Sequence, residues 1–181
     1  MDDDARTLAR MADGDPTAAA ALVDRLGPRL MAFVLRLTGG DRAAAEDIVQ
    51  ETFLRLWKKA GDWDPGGAAQ VSTWLGRVAA NLAIDRARKA GRETPLDDAV
   101  DPADPAPGAL ERLVAGERRT ALDAALARLP DRQRQAVVLR HMEGYSNPDI
   151  AAMMGCGVEA VESLTARAKR ALAKMLNPEE V

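Results

Sequence analysis

The stretch Asn147-Pro148-Asp149-Ile150-Ala151-Ala152-Met153-Met154-Gly155-Cys156-Gly157-Val158-Glu159-Ala160-Val161-Glu162-Ser163-Leu164 decides how this chain folds. Asn147 before Pro148 suits a helix N-cap followed by proline in the first helical position. A short helix is expected from Pro148 to Met154, then a tight turn at Gly155-Cys156-Gly157, then a second helix from Val158 to about Leu176. With Asn147 counted as one, Ile150 falls at position four, Met154 at eight, Val161 at fifteen and Leu164 at eighteen. These make a shared apolar core. Ala151 at position five is small where two helices must cross closely, and Gly155 at nine permits φ > 0 in the turn. This is the helix-turn-helix pattern. Its second helix places N-terminal residues at base edges in a major groove. Val158, Glu159, Ala160, Glu162 and Ser163 would reach there, with Arg167, Lys169, Arg170 and Lys174 mostly on phosphates. Glu159 and Glu162 repel phosphate. They fit if one accepts from a cytosine N4 amino group, or if they face away from the duplex.

Upstream of this unit the charge is uneven. The whole chain of 181 residues carries 25 Lys+Arg against 28 Asp+Glu, a net charge of −3. Taken whole, that argues against a stand-alone nucleic-acid binder, which is usually basic. Residues 92–115, however, hold only two basic residues against six acidic ones, with four of the ten prolines. Proline removes backbone donors and like charges repel, so this stretch is expected to be an extended linker between two helical domains. The alternative is a long loop inside one domain. The acidity sits there, while residues 77–92 and 163–176 are each locally net +4.

The N-terminal half reads as helices. Apolar residues recur at helical spacing through Ala18, Leu22, Leu26, Leu30, Val34 and Leu37, and Gly39-Gly40 ends that run. Asp41 can cap the next helix, in which Ile48, Phe53, Leu54 and Trp57 are expected to point inward. A third helix is expected over roughly 71–90, with Trp74, Leu75, Val78, Leu82 and Ile84 as its apolar positions. Asp47, Gln50 and Glu51 sit at i, i+3 and i+4 and share one face, either a solvated surface or a meeting place for a basic partner. Arg77, Arg86, Arg88, Lys89 and Arg92 cluster at the end of the third helix around Asn81, with Trp63 and Trp74 nearby. Cations with aromatic or polar pockets suit single-stranded DNA. The alternative is that both tryptophans are core; the apolar helix stripe favours that for Trp74 and leaves Trp63, in the loop, open.

Several classes are excluded. Cys156 is the only cysteine, so no disulfide forms within the chain, and one histidine with one cysteine cannot by themselves make a four-ligand zinc site, though carboxylates leave other metals formally open. His141 has no adjacent nucleophile or ligand cluster, so no catalysis, cofactor or small-molecule substrate is expected. Met1-Asp2-Asp3-Asp4 leads into no apolar run, so neither a signal peptide nor a membrane insertion is expected, and the chain is expected to be cytoplasmic.

Taken together, the two halves resemble the extracytoplasmic function sigma factors of bacterial RNA polymerase (sigma-70 family, group 4) over nearly the whole length. Residues 45–57, Ala-Glu-Asp-Ile-Val-Gln-Glu-Thr-Phe-Leu-Arg-Leu-Trp, look like that family's region 2.2. Residues 71–85, Val-Ser-Thr-Trp-Leu-Gly-Arg-Val-Ala-Ala-Asn-Leu-Ala-Ile-Asp, look like regions 2.3 to 2.4. Leu129-Pro130-Asp131-Arg132-Gln133-Arg134, Glu143-Gly144-Tyr145-Ser146 and the helix-turn-helix are similar to region 4.

The resemblance implies an all-α chain of two small helical domains. A three- or four-helix region 2 bundle would occupy residues 1–91, the linker 92–115 and a region 4 helix-turn-helix domain 116–181. It implies that Asp47, Gln50, Glu51 and Arg55 dock on the β′ clamp helices of core RNA polymerase, and that region 4 meets the β flap. It implies that Trp63, Arg77, Asn81, Arg86, Arg88 and Lys89 serve the −10 element. Val158, Glu159, Ala160, Glu162, Ser163, Arg167 and Arg170 would serve the −35 element. An anti-sigma factor would cover the polymerase-binding faces, and the linker would thread toward the active-site channel. Where relatives carry Lys-Ser-Arg in the reading helix, this chain has Glu162-Ser163-Leu164. The alternative is a helix-turn-helix regulator that acts without being a polymerase subunit.

Overall fold

A computed structural model describes residues 3–64, 70–93 and 113–176. Almost all of the expected linker lies outside them. The described residues form α1 (Asp3–Ala12), α2 (Pro16–Leu37), α3 (Arg42–Lys59), α4 (Val71–Glu93), α5 (Leu113–Ala127), α6 (Asp131–Val137), α7 (Asn147–Met154) and α8 (Val158–Leu176). A 3-10 turn follows α3 at Ala60–Asp62, and a π-helical stretch, Val138–Met142, continues α6. No strand occurs among the described residues, and the fold is all-α.

The chain divides into two compact units. The first comprises residues 1–35 and 41–83, the second residues 36–40 and 84–181. The expected boundary at residue 91 falls inside α4, whose residues from Ile84 onward group with the second unit.

In the first unit, Leu8, Leu22, Leu30, Phe33, Val34, Ile48, Leu56, Val71 and Leu75 are buried. Each such side chain contributes about 1.5–3 kcal/mol on leaving water. Asp41 caps α3 as its sequence position suggests, its carboxylate accepting from the Ala44 N–H at 3.0 Å. Helix α1 was not foreseen in the sequence. It buries Ala5, Leu8 and Met11, spaced three apart, and packs on the 3-10 turn after α3. Pro28 lies inside α2, and the helix continues through it.

The expectation that Leu54 and Trp57 point inward is corrected. Both are exposed, at 43% and 50%. The buried stripe of α3 runs through Ala45, Ile48, Thr52 and Leu56. Trp57 is nine residues from Ile48; at ~100° per residue it leaves the opposite side of the helix.

In the second unit, α5, α6 and α7 each pack on α8. Leu126, Leu139, Ile150, Val161 and Val138 are fully buried. Arg134 is buried as well, and its guanidinium is satisfied by the carbonyls of Leu129 (2.8 Å) and Leu37 (3.2 Å) and an ion pair with Asp131. That is the compensation a buried cation needs.

Candidate interfaces for polymerase and promoter DNA

The helix-turn-helix forms as its pattern requires. Ile150, Ala151, Met154 and Val161 are buried, and Leu164 is half-buried. Gly155 ends α7 in the left-handed conformation (φ 60°, ψ 44°), where a side chain would clash with its own backbone. One detail differs from the sequence reading. The N-cap is Ser146, not Asn147: the Ser146 Oγ accepts from the Asp149 N–H at 3.2 Å. Asn147 is therefore the first residue of α7. Its side-chain amide donates to a carboxylate oxygen of Glu162 on α8 at 3.3 Å.

Helix α8 turns Val161, Thr165 and Ala168 inward. Val158, Glu159, Ala160, Glu162, Ser163, Arg167 and Arg170 are all exposed, as are Lys169 and Lys174. By helical register, Glu159, Ser163 and Arg170 lie opposite the buried stripe. Glu162 and Lys169 share one flank and Arg167 lies on the other. His141, in the π-helical stretch, is held below its ordinary range, first by partial desolvation and then by the positive charges of Lys169 and Arg140. Cys156 is half-buried in the turn.

On α3, Asp47 and Gln50 are exposed, while Glu51 is half-buried and accepts from the Arg55 Nε–H at 2.8 Å. Sequence reasoning missed what lies beside this face. An apolar groove of about 590 Å³ runs between α2 and α3, lined among others by Val23, Gly27, Pro28, Met31, Phe53, Leu54 and Trp57. Glu46 and Gln50 also border it. Exposed apolar area beside a polar helix face makes the groove a candidate interaction surface. The helical register of Leu54 and Trp57 relative to Ile48 was the available signal.

On α4, Arg77, Asn81, Arg86, Arg88 and Lys89 are exposed. They do not form one face. Arg77, Asn81 and Arg88 follow one side, whereas Arg86, nine residues from Arg77, leaves the opposite side. Arg88 is tied to Asp85 at 2.9 Å. The Arg92 side chain lies outside the described residues. Trp63 is half-buried and meets Trp74 edge-to-face, with ring centroids 6.1 Å apart at 89°. Its indole N–H is shielded from solvent and has no partner among the described residues. Also among those residues, no group of side chains is placed to hold a metal ion, and no helix is long and apolar enough to cross a membrane.

Family models place both halves. Residues 22–93 match Sigma-70 region 2, and residues 119–172 match Sigma-70, region 4. The chain is 37% identical, over 175 residues, to the ECF RNA polymerase sigma factor SigM of Mycobacterium tuberculosis, covering 96% of this chain and 84% of that protein. The chain belongs to the extracytoplasmic function sigma factors. It is likewise 37% identical over 172 residues to the sigma factor SigF of Caulobacter vibrioides, covering 93% of this chain and 91% of that one. In structure it is similar to the sigma factor RpoE of Bartonella quintana, solved in complex with the anti-sigma factor NepR. That match has TM-score 0.57 and 28% identity, covering 87% of this chain and 96% of that one. Membership gives the exposed faces of α3, α4 and α8 a common context, since a sigma factor must meet both polymerase and promoter.

Proposed function

We propose that this chain is the promoter-specificity subunit of a bacterial RNA polymerase, with residues 1–91 as region 2, 92–115 as linker and 116–181 as region 4. In this reading it works in the cytoplasm and catalyses nothing itself; core polymerase supplies the chemistry. Asp47, Gln50, Glu51 and Arg55 dock on the β′ clamp helices, and region 4 meets the β flap. Trp63, Arg77, Asn81, Arg86, Arg88 and Lys89 serve the −10 element. The exposed residues of α8, from Val158 to Arg170, serve the −35 element. An anti-sigma factor holds the subunit inactive by covering its polymerase-binding faces; that the similar Bartonella protein forms a complex with the anti-sigma factor NepR supports such a partner.

The observation that carries the proposal is the α3 surface, where polar Glu46 and Gln50 border an open apolar groove edged by Leu54 and Trp57. A DNA-binding regulator acting alone has no use for it. Each domain binds weakly by itself, and core polymerase holds both at high effective concentration. The test is reconstitution with core polymerase on genomic templates. Promoter-dependent transcripts that require this chain are expected. Tight, sequence-specific duplex binding by the chain alone, with no such transcripts, would instead favour the regulator.

A further inference from the structure

Glu162 is a carboxylate on the helix proposed to read DNA, and its surroundings say what it can recognise. It is exposed in the second turn of α8, one residue beyond the buried Val161 and next to the exposed Ser163. One carboxylate oxygen accepts from the Asn147 amide at 3.3 Å. Among the described residues no lysine or arginine pairs with it. A neutral amide orients a carboxylate without cancelling its charge. Glu162 is thus a group that only accepts hydrogen bonds, held by one oxygen with the other left to engage a donor.

The major-groove edges of the four bases treat such a group very differently. Guanine presents two acceptors, thymine an acceptor and a methyl, and adenine a donor beside an acceptor. Cytosine presents an amino donor alone. We propose that Glu162 is a specificity-determining residue that selects cytosine at one position of the upstream promoter element through its N4 amino group, with Asn147 as its positioning residue. This rests on α8 being the duplex reader. Because the carboxylate is also repelled by the backbone phosphates, selection works largely by rejection: wrong bases leave Glu162 facing acceptors as well as phosphates.

The experiment uses holoenzyme assembled from core polymerase and the full chain, transcribing a pool of promoters randomised through the upstream element. The wild type should enrich cytosine over guanine at one position by about tenfold, within the range for a single base-edge contact. Glu162→Ala should flatten that position and leave the others unchanged. Glu162→Lys should turn it toward guanine. Asn147→Ala should keep the preference for cytosine but weaken it. Glu162 is exposed and Asn147 half-buried, with neither in the core, so melting curves close to wild type are expected and separate a reading defect from a folding one. An unchanged base profile in Glu162→Ala overturns the proposal, as does loss of a preference for any base other than cytosine. Full discrimination in Asn147→Ala removes Asn147 from it. If the wild type transcribes nothing from the pool or from genomic templates, the sigma-factor reading itself falls; transcription with a profile insensitive to Glu162 leaves that reading standing.

Discussion

Replacing Trp57 with alanine should damage polymerase binding and spare the fold. Trp57 is half exposed, at 50%, on the rim of the apolar groove between α2 and α3. A tryptophan covers about 150–250 Å² when buried, so roughly 100 Å² remains available to a partner. At about 25 cal/mol per Å², covering it contributes about 2.5 kcal/mol at most. Losses to side-chain ordering bring the expected cost nearer 2 kcal/mol, or about thirtyfold in Kd. The assay is a titration of labelled core polymerase with wild type and Trp57→Ala, alongside urea unfolding of each. Leu54→Ala, on the same rim and 43% exposed, should act in the same direction with a smaller effect. The reasoning is refuted by either of two results. Equal affinity would mean the rim is not the docking surface. A loss of about 3 kcal/mol or more in stability would mean Trp57 is a core residue, as large-to-small changes in a core behave.

The remaining predictions are briefer. Arg170→Ala should weaken holoenzyme binding to all upstream sequences alike and lower the salt slope by about one, measured by filter binding over a salt series; a change in base preference would contradict its phosphate role. Gly155→Val should destabilise the second unit by ~1–2 kcal/mol in urea unfolding, because φ at this position is 60° and a β-branched residue does not tolerate it. Gly155→Asn should cost less. His141, the sole histidine, should titrate below 6.5 when followed by proton NMR. Its neutral form is the one the fold favours, so its stability contribution is full above pH 6.5 and fades as pH falls through the lowered value. Lys169→Gln should move the midpoint back upward by removing one of the two neighbouring positive charges.

The helix-turn-helix was legible because nearly every position in it is constrained at once. Apolar residues at fixed intervals, a small residue at the crossing and a glycine at the left-handed turn leave few alternatives, and Gly155 adopts the conformation its position demanded. Helix α1 was missed because Ala5, Leu8 and Met11 are thinly spread among charged residues, a weak stripe that is completed by packing on the turn after α3 and by the ion pairs of Arg25 on α2 with Asp3 and Asp4. Leu54 and Trp57 were misplaced because residue type outweighed register: apolar side chains were sent inward even where helix geometry sends them outward. The basic residues of α4 were grouped by counting charge along the chain, which overlooks that Arg77 and Arg86 leave opposite sides of one helix. The link between Asn147 and Glu162 joins residues on two helices, and only folding the turn between them brings the pair together.

The groove between α2 and α3 has a consequence for timing and dosage. If the groove, about 590 Å³ with a tryptophan on its rim, is the docking surface proposed above, partners that need it compete for it. Two proteins that both need it are coupled without any shape change passing between distant parts of the chain. Occupancy by one subtracts directly from occupancy by the other, through mass action alone. The response to rising chain concentration then has a threshold. Below the number of copies of the tighter binder, nearly every chain is sequestered; above it, each additional chain is free to engage the second. A small destabilisation of the tighter complex, or the removal of a few of its molecules, releases a disproportionate share of the chain.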